Sequence, residues 1–321
     1  MIKNCIVTGG CGFIGSHMVD KLISQGHRVF VIDNLSARSN EFFYKNDSPN
    51  AIYYHSVDIS NFSELIKIFE IAFSSHEGAI DSVFHFAAEA RIQPMIKNPK
   101  MAVDVNTIGT INVLEACKRF NVRRMVHSST SSVYGNGQQL PLQEEATRNP
   151  LNPYSISKAC AEDFCKMYSR LWNLDVVILR YFNVFGERQP IKGTYAPVVG
   201  KFMRQHENGE PLTVVGDGTQ KRDFTWVGDI VEANYLVSMT DRSVSGETIN
   251  VGTQNNISIL DLAKGISDNI EFIEHRPGEA QETLASNTKM LALGWKPTMD
   301  IETWVKKNLD QKKFSTSEKI Y

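Results

Sequence analysis

Tyr154 and Lys158 stand four residues apart at the start of a stretch patterned as a helix, which puts both side chains on one face, one turn from each other. The chain holds ten tyrosines, so this spacing arises about once by chance and its position has to carry the reading. A free phenol titrates near pH 10, and presenting it as phenolate at neutral pH costs roughly 4 kcal/mol. An ammonium about 4 Å away at an effective dielectric of about 20 offers a similar magnitude before desolvation is subtracted. The pair therefore has the makings of a general base. A hydroxyl run, Ser128-Ser129-Thr130-Ser131-Ser132, follows the apolar pattern Met125-Val126-His127. At the carboxyl end of a parallel strand, where open α/β sheets place their ligands, one such hydroxyl can bond a substrate oxygen and relay its proton. Without Tyr154 and Lys158 the same run would serve equally well to satisfy loop backbone.

A base of this kind needs an electron acceptor beside it, and the start of the chain is patterned to hold one. Ile6-Val7-Thr8 runs into Gly9-Gly10-Cys11-Gly12-Phe13-Ile14-Gly15-Ser16, an apolar strand that becomes a helix over glycines three apart. Gly9 permits the tight turn, Gly12 lets backbone N–H groups approach a pyrophosphate, and Gly15 lets the helix pack closely on the sheet. The helix N-terminus at Phe13 and Ile14 adds partial positive charge. The amphipathic stretch with Met18, Val19, Leu22 and Ile23 stops at Gly26, and a second strand, Val29-Phe30-Val31-Ile32, ends in Asp33. A carboxylate there takes the adenosine ribose hydroxyls and repels a 2′-phosphate, which favours NAD over NADP. A bound nicotinamide cation would favour the Tyr154 phenolate further.

The remaining elements follow the same alternation. Ile52-Tyr53-Tyr54-His55 precedes a helix over 62–73, then Ser82-Val83-Phe84-His85-Phe86, an amphipathic segment over 100–120, the strand 125–128, a loop with Pro141, Pro150 and Pro153, a helix over 154–172 and the strand 176–181. This predicts an α/β fold, a doubly wound parallel Rossmann sheet. After Gly186 the alternation becomes irregular: a helix over 197–206, turns at Gly209 and Gly216-Asp217-Gly218, and a strand-helix pair after Thr248 with a capping pattern at Ser258-Ile259-Leu260-Asp261. The expected division is a cofactor-binding domain over 1–182 and a smaller α/β substrate lobe over 183–321, from which short elements rejoin the sheet. The polar tail over 310–321 is expected to fray.

With 321 residues and 42% hydrophobic content the chain buries a large core. A formal charge of −2 with scattered Lys and Arg leaves no electrostatic footprint for nucleic acid. No apolar run is long enough for a membrane span. The first strand begins at once, which leaves no room for a cleaved signal, and five cysteines in strand, turn and helix positions read as reduced small hydrophobes, so the expected setting is cytoplasmic. The eight histidines lack metal-site spacing, and no metal is expected.

Several further motifs occur in order: Asp33-Asn34-Leu35-Ser36, Asp58-Ile59, His85-Phe86-Ala87-Ala88, Val133-Tyr134-Gly135 after the hydroxyl run, Asn152-Pro153-Tyr154-Ser155-x-Ser157-Lys158, Arg180-Tyr181-Phe182-Asn183-Val184-Phe185-Gly186, Gly216-Asp217-Gly218-x-x-x-Arg222-Asp223-Phe224 and Arg276-Pro277-Gly278-Glu279. Together with the glycine turn they resemble an extended short-chain dehydrogenase/reductase of the NAD-dependent nucleotide-sugar epimerase and dehydratase group, over residues 2 to about 297. The resemblance implies tightly held NAD, contacted by the glycine turn, Asp33, Asn34, Asp58, Ile59, Phe86, Ala87, Ala88, Asn106 and Ser128. It implies that Tyr154 takes the proton of a sugar hydroxyl while hydride leaves for the nicotinamide, that Lys158 holds the ribose and depresses the tyrosine pKa, and that Thr130 bridges to the sugar. Asn183, Arg222 and Arg276 match nucleotide-diphosphate positions, and Glu279 is expected among the substrate-binding residues. By the same likeness, the segments 100–120 and 154–172 match helices that form a dimeric four-helix bundle, so a homodimer is expected; their apolar faces could equally be core.

The reaction follows from what the hydroxyl run lacks. Dehydratases of the group carry Asp-Glu where this chain has Ser131-Ser132, and nucleotide-glucuronate decarboxylases carry a glutamate at the place of Ser132. Eliminating water needs an acid and a base that serines do not supply. Redox-neutral C4 epimerisation needs neither. The run is similar to that of 4-epimerases of UDP-N-acetylhexosamines and UDP-hexuronates, and Thr283 matches a gatekeeper position that is large in epimerases restricted to plain hexoses. Arg91 could favour a carboxylate, though a surface role is the stronger reading. Thr130 replaces the commoner serine, Ala90 stands where some hexose epimerases have a cofactor-binding lysine, and the loop 37–49 departs from the usual short one. The alternatives are a nucleotide-ketosugar reductase, against which Asp33 argues, and a non-catalytic NAD-binding protein.

Overall fold

Apolar runs that alternate with amphipathic stretches become a seven-stranded parallel sheet in the computed structural model, which describes residues 3–36, 48–75, 78–191 and 196–311. The strands are β1 (Asn4–Thr8), β2 (Arg28–Asp33), β3 (Ala51–His55), β4 (Ser82–His85), β5 (Arg124–Thr130), β6 (Val176–Tyr181) and β7 (Thr248–Val251), in the spatial order β7-β6-β5-β4-β1-β2-β3. Every pairing in this sheet is parallel. β1, β4, β5 and β6 are buried along their whole length, as a sheet covered on both faces requires. One covering core includes Val7, Met18, Phe84, Leu179 and Ile230; the other includes Ile6, Phe69, Leu114, Met125 and Ile178. The order reverses between β1 and β4, and that is where an open sheet offers a crevice.

The chain crosses the expected boundary near residue 183 and returns. Helix Val227–Met239 packs against helix Phe13–Ser24 and β5, and β7 extends the sheet beside β6. The smaller lobe has its own core around Phe185, Phe202, Leu212, Val214, Phe224 and Trp304. Its pairs are Leu212–Val215 with Ile270–Ile273 and Val184–Phe185 with Thr225–Trp226, both parallel, and Lys221–Asp223 with Asn256–Ser258, antiparallel. The Glu187 carboxylate accepts from the indole nitrogens of Trp226 (3.1 Å) and Trp304 (2.9 Å), while the Glu187 carbonyl meets Nε2 of His17 at 2.9 Å and so ties the smaller lobe to the first helix.

Two helices matter most for the site. Asn152 begins helix Pro153–Trp172 with a reciprocal cap: its side chain accepts from the Ser155 N–H (2.9 Å), and Ser155 Oγ accepts from the Asn152 N–H (3.1 Å). Pro153 occupies the first turn, where its missing N–H costs nothing. The predicted helix over 100–120 is interrupted: Pro99–Ala102 and Gly109–Arg119 are α-helical, with a wide π turn over Val103–Ile108 between them. A side chain at Gly109 would put its Cβ 2.6 Å from Cδ1 of Ile59, so the glycine lets this helix lie against the residue beside the cavity wall. No described helix is long and apolar enough to cross a membrane, and all five cysteines are free. The departing loop at 37–47 and the tail at 312–321 lie outside the described residues.

Candidate functional site

A cavity of ≈ 870 Å³ opens over the carboxyl ends of the central strands and is walled on its far side by the smaller lobe. At its dinucleotide end Gly9, Gly12, Phe13, Ile14 and Gly15 form the floor. Gly9 has φ +69°, and a Cβ there would lie 2.6 Å from the Ala87 nitrogen; at Gly15 it would lie 2.1 Å from the Gly9 carbonyl oxygen. The turn therefore closes only with glycine, and the space in front of it stays open to a ligand. Asp33, at the end of β2, accepts from the Cys11 N–H (2.9 Å) and the Leu35 N–H (2.7 Å), which fixes its carboxylate at the rim. Asn34, Ile59, Phe86, Ala87, Ala88 and Ser128 line the same end.

Two expected cofactor residues stand behind the wall. Asp58 accepts from Asn34 Nδ2 (3.0 Å) and from Ser60 N–H and Oγ (2.8 and 2.7 Å), and these bonds hold it below the usual carboxylate range although burial works the other way. Asn106, buried in the π turn, accepts from the Glu89 N–H (2.8 Å) and donates to the Glu89 carbonyl (2.9 Å) and to Ser157 Oγ (3.0 Å). Neither lines the cavity; each positions a neighbour that does.

Tyr154, Lys158 and Thr130 meet in the middle of the cavity. The Thr130 hydroxyl lies beside the Tyr154 phenol, donates to Ser132 Oγ at 3.0 Å and accepts from the Ser132 N–H at 3.1 Å. Burial raises the phenol above its ordinary value, against lowering contributions from the Thr130 hydrogen bond and the Arg91 charge. The expectation of a tyrosine depressed by Lys158 is thus not met in the protein alone, because removal from water outweighs the favourable contacts. Lys158 is 3% exposed, donates no hydrogen bond to a described residue, and is brought down to about 8 by burial, with Cys165 and Glu162 working upward. Behind it sit the buried imidazoles of His85 and His127, 5.4 Å apart, both kept neutral by burial and by the lysine charge.

At the far end Asn183, Arg222, Arg276, Glu279 and Thr283 line the cavity, all from the smaller lobe. Arg222 is nearly buried; Nη1 donates to the Lys221 and Gln281 carbonyls (2.9 and 3.2 Å), and Nη2 is 3.9 Å from Glu279. Arg276 is exposed. Thr283 is held in place by its hydroxyl, which accepts from the Asp223 N–H at 3.3 Å. Asp223 itself is fully buried and also accepts from the Thr253, Gln254 and Ala285 N–H groups, so it is the acceptor around which this loop folds. Lys201 and Gln220 line the same end and were not anticipated, since no motif surrounds Lys201 and Gln220 occupied an unassigned position in one. Burial and the Arg276 and Arg204 charges lower the Lys201 ammonium.

The profile of the family described as GDP-mannose 4,6 dehydratase matches residues 6–308. The chain is 37% identical over 278 residues to the UDP-N-acetyl-alpha-D-glucosaminuronate decarboxylase of Bacillus cytotoxicus, spanning 83% of this chain and 80% of that protein. Among solved structures it is similar to the UDP-N-acetylglucosamine 4-epimerase of Methanobrevibacter ruminantium M1, in complex with UDP-N-acetylmuramic acid: TM-score 0.85, 34% identity, 97% of this chain and 99% of that one. It is also similar to the UDP-glucuronic acid 4-epimerase of Bacillus cereus in complex with UDP-glucuronic acid and NAD, with a TM-score of 0.86, 30% identity, and coverage of 95% and 98%.

Proposed function

This chain belongs to the GDP-mannose 4,6 dehydratase family of extended short-chain dehydrogenases/reductases, and from that premise we propose that it inverts C4 of a UDP-sugar, UDP-GlcNAc/UDP-GalNAc or the corresponding uronic acids. It is an enzyme of the NAD-dependent UDP-sugar epimerase and dehydratase group. The residues present fit NAD: the glycine turn leaves a cradle that a Cβ would fill, and Asp33 turns a carboxylate to the rim where an adenosine ribose would sit. Residues 1–182 hold the cofactor and 183–321 the nucleotide sugar in this reading.

The observation that carries the proposal is the meeting of Thr130, Tyr154 and Lys158, which donates no hydrogen bond to a described residue, in one cavity with that cradle. Bound NAD supplies the hydride acceptor and donor at C4 and a cationic ring that favours the phenolate. Tyr154 takes the C4 hydroxyl proton at its phenolic oxygen, and Thr130 orients that hydroxyl. Lys158 holds the nicotinamide ribose and adds its charge. The 4-keto sugar has no stereocentre at C4: turned over in the cavity, it would take the hydride back on its opposite face while the same tyrosine returns the proton to the C4 oxygen, and the configuration is inverted. Arg222, Arg276 and Asn183 grip the diphosphate, and Thr283 leaves room for an N-acetyl group.

Purified protein given UDP-sugars and no added cofactor is expected to form the C4 epimer, read by NMR of the sugar anomeric protons. No epimer from any UDP-sugar overturns the proposal. The decarboxylase relative supports a second reading, in which C4 oxidation of a uronate is followed by loss of CO2, and the same assay reads it as a pentose product. Ser132, in place of that branch's glutamate, weighs against it. The reading also includes a homodimer, in which Val103, Ile108, Ile156 and Leu171, exposed on neighbouring helices, are covered by a second copy; sedimentation at micromolar concentration checks it. The free cysteines suit a cytoplasmic setting.

A further inference from the structure

Tyr154 and Lys158 are followed, one turn further along the same helix, by Glu162, which is 0% exposed. Its carboxylate accepts from Ser129 Oγ at 2.5 Å, from Arg180 Nε and Nη2 at 2.8 and 2.7 Å, and from Arg148 Nη1 at 3.4 Å. Each donor comes from a different part of the site. Ser129 lies between cavity-lining Ser128 and Thr130, with its own hydroxyl turned to the helix. Arg180 is on β6, 4.6 Å over the ring of Tyr134, and donates to the Glu144 carbonyl at 3.0 Å. Arg148 also donates to the Ala159 carbonyl at 2.8 Å and to Asp163.

We propose that Glu162 is a positioning residue for C4 oxidation, pinning the hydroxyl-bearing end of β5 to the helix that carries Tyr154 and Lys158 and keeping a negative charge one turn from the lysine. A buried ion pair gives little net stability compared with apolar residues of the same volume, so stability alone does not account for its place here. What it supplies is registry. The Thr130 hydroxyl and the Tyr154 phenol sit on separate elements, and the Ser129–Glu162 bond is a direct side-chain tie between those elements one residue from Thr130. The lysine faces Glu162 and Cys165 from its own helix, His85 from β4 and His127 from β5, with Tyr154 one turn back. Burial keeps the two imidazoles and the Cys165 thiol neutral, so the upward pull that a Cys165 thiolate would exert on the lysine is absent near neutral pH and Glu162 is the anion in this set. Its effect on Lys158 is upward, in support of the geometry.

The inference rests on the proposed 4-epimerisation for its kinetic consequence but not for its electrostatic one. Glu162→Gln in the full chain with its cofactor is expected to lower kcat about tenfold or more, to leave KM for the UDP-sugar within about twofold, and to move both the alkaline limb of kcat and the Lys158 titration, followed by 15N NMR of the ammonium, down by about one pH unit. Ser129→Ala removes one hydrogen bond and no charge, so it decides the matter if the glutamine variant does not fold; it is expected to lower kcat about threefold with KM unchanged. A folded Glu162→Gln with wild-type kcat and an unmoved Lys158 titration overturns the inference, as does a Ser129→Ala variant with full turnover. A wild-type protein inactive on every UDP-sugar overturns the proposed function instead, and the Lys158 titration then still decides this one.

Discussion

At the dinucleotide end of the cavity the working parts are main-chain atoms: three glycines set the path of a turn, the first helix points its N-terminus at the opening, and Asp33 is locked by two backbone N–H groups. At the opposite end, proposed to hold the nucleotide sugar, they are side chains on loops of the smaller lobe, with Arg222 hung on two carbonyls and Thr283 on the loop that folds around Asp223. The first end tolerates few substitutions because a Cβ has nowhere to go. The second can exchange residues while its loop survives. The solved relatives are named for different sugars, N-acetylglucosamine and glucuronic acid.

Tyr154 belongs to neither end, and its removal separates them most sharply. Tyr154→Phe is expected to lower kcat by about 10²–10⁴-fold while the purified protein keeps its NAD, since the ring still packs and only the proton acceptor is lost. A variant that releases its cofactor would show that the phenol helps build the dinucleotide end, and the contrast would fail. Arg222→Ala should act on the other end alone: if this nearly buried cation grips the diphosphate as proposed, its loss raises KM for the UDP-sugar by about 10–100-fold, with kcat little changed and NAD retained. Gly15→Ala is the converse. Its Cβ would stand 2.1 Å from the Gly9 oxygen, so the helix must shift, at a cost of about 1–3 kcal/mol in melting experiments and with weakened NAD retention, while the KM of the cofactor-loaded fraction stays as in wild type.

What the chain displayed in advance follows the same division. The glycine turn and Asp33 are local backbone requirements, so residue type and spacing announce them. The helix expected from Tyr154 also formed, and of the short later elements expected to rejoin the sheet it is Thr248–Val251 that does so. The π turn over Val103–Ile108 was hidden, because one extra residue in a helical turn hardly disturbs an apolar pattern; with it went the inward pull on Asn106, which was expected against the cofactor and instead bonds Glu89 and Ser157. Lys201 was invisible for another reason: a single lysine on an amphipathic helix looks like any solvated one until the fold turns it toward Arg276. The raised Tyr154 phenol was missed because the sequence gives the spacing of the ammonium but not the depth of burial.

The smallest expected effect is the most specific to the sugar end. Thr283 is 5% exposed and fixed by the Asp223 N–H, so a larger side chain there cannot swing out to solvent and must project into the cavity. Thr283→Tyr is expected to raise KM for UDP-GlcNAc by about tenfold and to leave KM for UDP-glucose within about twofold, because only the acetylated sugar needs the lost volume. Equal losses on both sugars would mean that the tyrosine displaces the loop that Asp223 organises, and size selection would then have to come from another wall of the cavity. An effect on NAD retention would be more damaging still, since it would couple the glycine turn to a residue that lies in the smaller lobe.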